Sequence, residues 1–321
     1  MNSVKCFNNV TPWYEPTDIL RGQDDYKSLM PREDHAFLSG IIKQIQPKKI
    51  VEIGVAQGGT TALMAKTIAM LGLNAQIISV DIQKVRLEEP VGYIYEKFPQ
   101  KNNIDYTLLL GESLAQRILK NEIGTDVDLV ILDTTHEIPG EILDFLSILP
   151  YMSKNGMVVL HDVSISNNLI LNDATLNYAT IRISTKVLFS TVVAEKYYNG
   201  NQTDLPNIAA FSITQQTTEY INNVFYALTH LWTSQISDEL KQSYLELFKK
   251  HYPEACVDLY RNNIAKENQY RQLVGVYKTM YSRLLLRIVH PGNAIPVVGF
   301  IARMCLLLKN RIKVIINKTP R

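Results

Sequence analysis

Two short runs set carboxylates and imidazoles at the ends of apolar stretches: Leu129-Val130-Ile131-Leu132-Asp133-Thr134-Thr135-His136 and Met157-Val158-Val159-Leu160-His161-Asp162. If the apolar runs are neighbouring strands, two acids and two imidazoles meet at one rim. A group so short of countercharge suits a divalent cation with oxygen ligands, Mg²⁺ first, which can hold two adjacent hydroxyls and polarise one toward the alkoxide. His136 stands three residues past Asp133, within reach of such a hydroxyl, and an imidazole with an ordinary pKa of about 6.5 suits a general base. A third run, Val51-Glu52-Ile53-Gly54-Val55-Ala56-Gln57-Gly58-Gly59-Thr60, places glycines where a strand turns into a helix and backbone amides can approach a ligand. Its Gly-x-x-x-Gly-Gly spacing lacks the Lys-Ser/Thr pair of a triphosphate loop and differs from the dinucleotide Gly-x-Gly-x-x-Gly. Glu52 before the first glycine suits a ligand's cationic amino end, and Asp81 at the end of the next apolar run suits a ribose diol. Acids at strand ends also cap helices, and that alternative stays open for Asp133 and Asp162.

These residues need a scaffold that brings strand ends together. Residues 33–214 alternate short apolar runs with helical spacing, the pattern of a parallel sheet with crossover helices. Phe37, Leu38, Ile41, Ile42 and Ile45 predict a helix over 33–46 that Pro47 stops. Strands are predicted at 49–53, 75–82, 106–110, 128–133 and 157–161, with the last two at 187–193 and 208–213, and a helix at 60–71 follows the glycine turn. In open sheets of this kind ligands bind outside the carboxyl ends of the strands, where these polar residues fall. From 215 the spacing is helical and strands stop.

The Glu52-Ile53-Gly54-x-x-x-Gly58-Gly59 run, Asp81 and Gly111-Glu112-Ser113 resemble class I S-adenosylmethionine-dependent methyltransferases over roughly residues 30–165. The resemblance implies an α/β, Rossmann-like, doubly wound and mostly parallel seven-stranded sheet with a helical C-terminal extension. It implies S-adenosylmethionine held by Glu52, Gly54, Gln57, Gly58, Gly59, Asp81, Ile82, Glu112 and Ser113. The Asp133-x-x-His136 run is similar to that of the metal-dependent O-methyltransferases acting on sugars and of the cephalosporin-hydroxylase-like group. It implies Asp133 and His136 as catalytic residues, with His136 the base, and a metal held by Asp133, His161 and Asp162. Sugar enzymes usually carry two adjacent acids where this chain has His161-Asp162. A neutral imidazole there leaves a less anionic site, which favours Mn²⁺ over Mg²⁺ or no ion at all. The implied activity is methyl transfer to a hydroxyl of a sugar or glycan precursor, as in polysaccharide biosynthesis. A hydroxylase-like enzyme of the same fold and a non-catalytic binding or scaffold protein are the alternatives.

The 321 residues, 46% hydrophobic and 20% charged, suit a globular chain that buries about 75% of its unfolded surface without disulfides. Cys6, Cys256 and Cys305 are odd in number, far apart and off metal-ligand spacing, and no export leader opens the chain, so a reducing, cytoplasmic setting is expected. The net charge of +2 conceals polarity: ten basic residues and no acid lie between Asn268 and Arg321, leaving the first 267 residues at −8. Within that tail, 297–316 gathers Val297, Ile301, Leu308, Ile312 and Ile315 on one helical side but holds too many charges to span a bilayer. Peripheral contact at the inner face of a membrane through 268–321 is one expectation; packing on its own domain or on a second subunit, as in a homo-oligomer, is the other. Nucleic acid is not expected as a partner. The predicted organisation is an arm or lid at 1–32, a catalytic domain at 33–214 and a helical region at 215–321.

Overall fold

The computed structural model describes residues 8–86, 88–98, 104–167, 182–198, 207–267 and 269. The chain divides into two compact units, Met1–Ala265 and Lys266–Arg321, of which the first carries the sheet. The basic tail expected to meet a membrane or a second subunit lies, apart from 269, outside the described residues. Among the described residues no helix is long and apolar enough to cross a membrane.

The strands are β1 (Asn8–Asn9), β2 (Lys49–Ile53), β3 (Ala75–Asp81), β4 (Val85–Arg86), β5 (Glu89–Pro90), β6 (Ile104–Leu110), β7 (Val127–Leu132), β8 (Met152–His161), β9 (Glu195–Tyr198) and β10 (Ile208–Ser212). The helices are α1 (Glu15–Arg21), α2 (Arg32–Ile45), α3 (Gly59–Met70), α4 (Tyr93–Lys97), α5 (Leu114–Leu119), α6 (Gly140–Ile148), α7 (Ser184–Thr191), α8 (Gln215–Glu219), α9 (Ile221–Ala227) and α10 (Asp238–His251). One sheet takes the order β1-β9-β10-β8-β7-β2-β3-β6, and β4 pairs separately with β5. Strands β8, β7, β2, β3 and β6 run parallel, whereas β10 is antiparallel to both of its neighbours. The sheet is thus mixed and mostly parallel. Its eighth strand, the two-residue β1, pairs with β9 beyond the expected seven.

The central strands are buried on both faces, which is why they read as nearly unbroken apolar runs. Alternation then sorts each strand between two layers. Val51, Ile53, Val130, Leu132, Val158 and Leu160 face α5, α6, α7, α9 and α10, while Ile50, Leu129, Ile131 and Val159 face α2 and α3. The apolar side of α10, including Leu247 and Phe248, belongs to the first layer. Ser237 caps α10, Asp238 and Glu239 occupy its first turn and Lys249, Lys250 and His251 its last, each sign matched to the helix dipole.

One element differs from expectation. Residues 187–191 belong to helix α7, and the strand comes later as β9. Val187, Leu188 and Phe189 have strand composition, but with Ile183 and Thr191 the apolar spacing is four, and Ser190 and Thr191 return their hydroxyls to the Val187 carbonyl. Leu188, fully buried, fixes that face.

The chain crosses from one half of the sheet to the other between β2 and β7. A cleft opens at this switch point, outside the carboxyl ends of the strands.

Candidate active site

The cleft, about 960 Å³, is lined by the N-terminal segment at Ser28–Pro31, the glycine turn, Asp81–Gln83, Asp133–Glu137, Asp144, His161, Asp162, Arg182, Asn207, Leu240 and Tyr244. Its floor is the turn after β2. Gly54 has φ of 90°, and a Cβ there would run into the Asp133 carbonyl, so only glycine lets β2 and β7 end side by side. Gly58, with φ of 88°, starts α3 with no side-chain cap, leaving the first amides of the helix for a ligand. A Cβ on Gly59 would meet the Lys27 carbonyl and Ser28, while the Tyr26 hydroxyl donates to the Gly59 carbonyl at 2.9 Å. The segment before α2 therefore abuts the glycine turn.

Asp81 joins the end of β3 to this turn. Its Oδ2 accepts the amides of Val55 and Ala56 at 3.0 and 3.2 Å, and its Oδ1 that of Gln83 at 2.8 Å. Carboxylate oxygens carry about four acceptor positions, so these three amides leave one, on Oδ1, for a ribose hydroxyl. Gly54, Gln57, Gly59, Ile82 and Ser113 share the cleft wall with Asp81; Gly58, Glu52 and Glu112 do not line it. Glu52, 1% exposed, lies behind the turn, where its Oε2 accepts the Thr61 and Ser79 hydroxyls, both at 2.6 Å, and ties α3 and β3 to β2. Burial raises its carboxyl to about 7 against the pull of those two hydrogen bonds. Glu112 instead pairs with Lys120 and Arg117 at the surface. Ser113 caps α5 in a box with Gln116.

The carboxyl ends of β7 and β8 bring the acids and imidazoles together. His136 Nε2 lies 3.1 Å from Asp162 Oδ2 and 3.6 Å from Asp133 Oδ1, and His161 Nδ1 lies 3.2 Å from Asp133 Oδ1. His136 and Asp162 both hold left-handed backbone, φ of 60° and 59°, a strain carried by two members of one cluster. Burial opposes charge on His136, yet Asp162 and Glu141 beside it, with Asp133 near, overcome that and raise it to about 10. Burial likewise opposes the Asp162 carboxylate, and the two imidazoles with Asn207 carry it down to about 2. His161 is raised well above its ordinary value by Asp133 and Asp34 in spite of its burial.

Three residues of this cluster are absent from the sequence reading. Glu141, fully buried, accepts the His136 amide at 2.7 Å and the Thr134 hydroxyl at 2.9 Å and faces His136 Nδ1 at 3.3 Å. Asp34, on α2, faces His161 Nε2 at 3.3 Å. Asn207 donates to Asp162 Oδ1 at 2.8 Å. The signal available for Glu141 was an acid in the first turn of a mostly apolar helix; nothing local marks Asp34 or Asn207.

Among the described residues Asp133, His136 and Asp162 form the group whose ligand atoms all lie within 4.8 Å of one another. Two carboxylate oxygens and an imidazole nitrogen fit Mg²⁺ or Mn²⁺. Histidine roles differ from expectation in geometry: His136 joins the two carboxylates, while His161 spans Asp133 and Asp34 as a bridge.

Residues 51–163 match a family model described as a methyltransferase domain. No curated protein matches the chain. Similar solved structures include the O-methyltransferase from Bacillus cereus in complex with SAH, at 14% identity over 62% of this chain and 89% of that one with a TM-score of 0.42. The O-methyltransferase TomG from Streptomyces achromogenes, involved in tomaymycin synthesis and in complex with SAM, is 14% identical over 64% of this chain and 92% of its own, with a TM-score of 0.42. SAH-bound methyltransferase PaMTH1 from Podospora anserina is 14% identical, covering 63% and 86%, with a TM-score of 0.40. The domain assignment rests on the 51–163 match.

Proposed function

We propose that the methyltransferase domain this chain carries at residues 51–163 moves the methyl group of S-adenosylmethionine to a hydroxyl, on a sugar or glycan precursor, with a divalent cation at the acid rim. One observation supports this most: the convergence of Asp133, His136 and Asp162 on the wall of the same cleft that the glycine turn floors. A sulfonium methyl is already activated, so the residues need only align an oxygen, take its proton and exclude water. Gly54, Gln57, Gly59 and the amides opening α3 receive the cofactor, and Asp81 takes a ribose hydroxyl. Ser28–Pro31 cover the turn from the N-terminal side.

Asp133 and Asp162 would hold a divalent ion, which when bound would supply countercharge and polarise a hydroxyl. His136 is the acceptor for the hydroxyl proton. Asp133 and Asp162, which with Glu141 hold His136 protonated, are the ones an ion would engage; in this reading His136 stands beside the ion with Glu141 at Nδ1, and its Nε2 takes the proton in place of a metal bond. Glu141 orients the ring through Nδ1 and through the backbone amide of His136. Vicinal hydroxyls, as sugars offer, match a site built of two carboxylates flanked by Asn207 and Arg182.

The test is formation of S-adenosylhomocysteine from S-adenosylmethionine across a panel of sugars and sugar nucleotides, with Mg²⁺, with Mn²⁺ and with EDTA. Turnover with a metal, abolished by EDTA and by Asp133→Asn, is expected. Turnover undiminished by both would remove the metal from the reading. No turnover with any hydroxyl acceptor would remove the acceptor class.

A further inference from the structure

Asp34, in the first turn of α2, is 2% exposed and does not line the cleft, yet two contacts tie it to the acid–imidazole rim. Its Oδ2 lies 3.3 Å from His161 Nε2 and accepts from Asn207 Nδ2 at 3.4 Å. Each of these side chains then reaches one rim carboxylate. His161 Nδ1 lies 3.2 Å from Asp133 Oδ1, and Asn207 Nδ2 donates to Asp162 Oδ1 at 2.8 Å. One buried carboxylate oxygen therefore anchors two arms, and each arm holds one oxygen of one acid.

We propose that Asp34 is a positioning residue for the rim: through His161 and Asn207 it sets the spacing of Asp133 and Asp162, and with it the fit of a divalent cation between them. The proposal rests on the metal reading above and extends it to two residues, Asp34 and Asn207, that lie outside residues 51–163.

Donor counting carries it first. The Asn207 amide has two N–H bonds, and its contacts with Asp162 and Asp34 use both; the Ser164 hydroxyl donates to Asn207 Oδ1 at 3.3 Å, which fixes the amide with its nitrogen toward the acids. Both nitrogens of His161 face carboxylate oxygens, so both donate, and the rigid ring fixes the span from Asp34 to Asp133. Both arms take an Oδ1. The Oδ2 atoms of the two acids stay out of this frame, and that of Asp162 meets His136 Nε2 at 3.1 Å. Charge supports the same assignment, because an imidazolium beside two ligand carboxylates repels an incoming cation unless a further carboxylate balances it, and Asp34 is that carboxylate. The anchor itself is firm. Phe37 and Leu38, which follow on α2, are fully buried, and Ser39 on the same helix bonds Thr67 of α3 at 3.1 Å. The positive end of the helix dipole favours a charged carboxylate at this turn.

The experiment is Mn²⁺ binding to the full chain, read from the free-ion signal in electron paramagnetic resonance, beside calorimetric titration with S-adenosylhomocysteine and thermal unfolding. Asp34→Asn keeps the shape and removes the charge; it is expected to weaken Mn²⁺ binding about tenfold or more, the usual worth of a partner that orients a metal ligand, while S-adenosylhomocysteine affinity stays within about threefold. Asn207→Ala cuts one arm and leaves the other, and is expected to weaken Mn²⁺ about threefold to tenfold. In a His161→Gln background the loss caused by Asp34→Asn is expected to shrink to about threefold or less, since one arm it acts through is gone. An Asp34→Asn protein that melts at a lower temperature but binds Mn²⁺ as wild type does would reduce the contact to a structural tie and overturn the proposal. So would a full tenfold loss that persists in the His161→Gln background. Should Asp34→Asn not fold, wild-type Mn²⁺ affinity in Asn207→Ala would overturn the frame instead. A wild type that binds no Mn²⁺ would overturn the metal reading itself and this proposal with it.

Discussion

The glycine turn and the acid–imidazole rim lie at the same strand ends, yet each buries its carboxylates in a different way. Behind the turn, Glu52 is surrounded by hydroxyls alone; burial wins and its carboxyl rises to about 7. At the rim, Asp162 is held by His136, His161 and Asn207; pairing wins and its carboxyl falls to about 2. The turn does its work with backbone, for which a side chain is an obstruction. The rim does its work with side chains gathered from α2, β7, β8, α6 and the start of β10. What separates the raised carboxyl from the lowered one here is the presence of imidazoles beside Asp162.

The largest effect expected is at the turn. Gly54→Ala sets a Cβ against the Asp133 carbonyl at a left-handed φ, and should cost about 4 kcal/mol or more in urea unfolding. Near-wild-type stability would mean that β2 and β7 can separate, and the two regions would not be geometrically locked.

At the rim, His136→Gln should leave S-adenosylhomocysteine affinity within about threefold while methyl transfer falls by about 100-fold or more, the usual worth of a positioned base, and it should lower stability because Asp162 and Glu141 lose the imidazolium they pair with. A parallel loss of binding would show that the rim also builds the cofactor site.

The contrast in the two acids sharpens with pH. An unfolded glutamate releases its proton near 4.3, whereas folded Glu52 keeps it to about 7, so the folded state binds more protons in between and stability falls as pH rises through that window. Asp162 has the opposite sign: its contribution is present above about 3.9 and is lost as pH falls toward 2. Glu52→Gln should remove on the order of 3 kcal/mol of the stability change between pH 4 and 7 and leave the acid limb below pH 4 unchanged. The smallest effect expected is that of Glu112→Ala. Glu112 faces Lys120 at the surface and does not line the cleft, so cofactor affinity should stay within about twofold.

The same division governs what could be read from sequence. Glycine spacing, the acid at the end of β3 and the paired strand-end motifs are local patterns, and 49–53, 75–81 and 127–132 form strands within a residue or two of where apolar runs placed them. Residues 187–191 misled because β-branched composition outweighed a four-residue spacing that only contact with α6 makes decisive. Asp34 and Asn207 stand 99 and 74 residues from Asp133, and only the fold, by setting α2 and β10 beside β8, brings them to the rim. Glu52 carries the family pattern, yet its neighbours Thr61 and Ser79 decide that it faces inward.

Calorimetric titration of the full chain with S-adenosylmethionine, with and without Mg²⁺, tests the shared premise most directly. One-to-one binding in the micromolar range, retained in His136→Gln, is the expected result. Absence of binding under both conditions would contradict a cofactor site at the glycine turn and, with it, methyl transfer by this cleft.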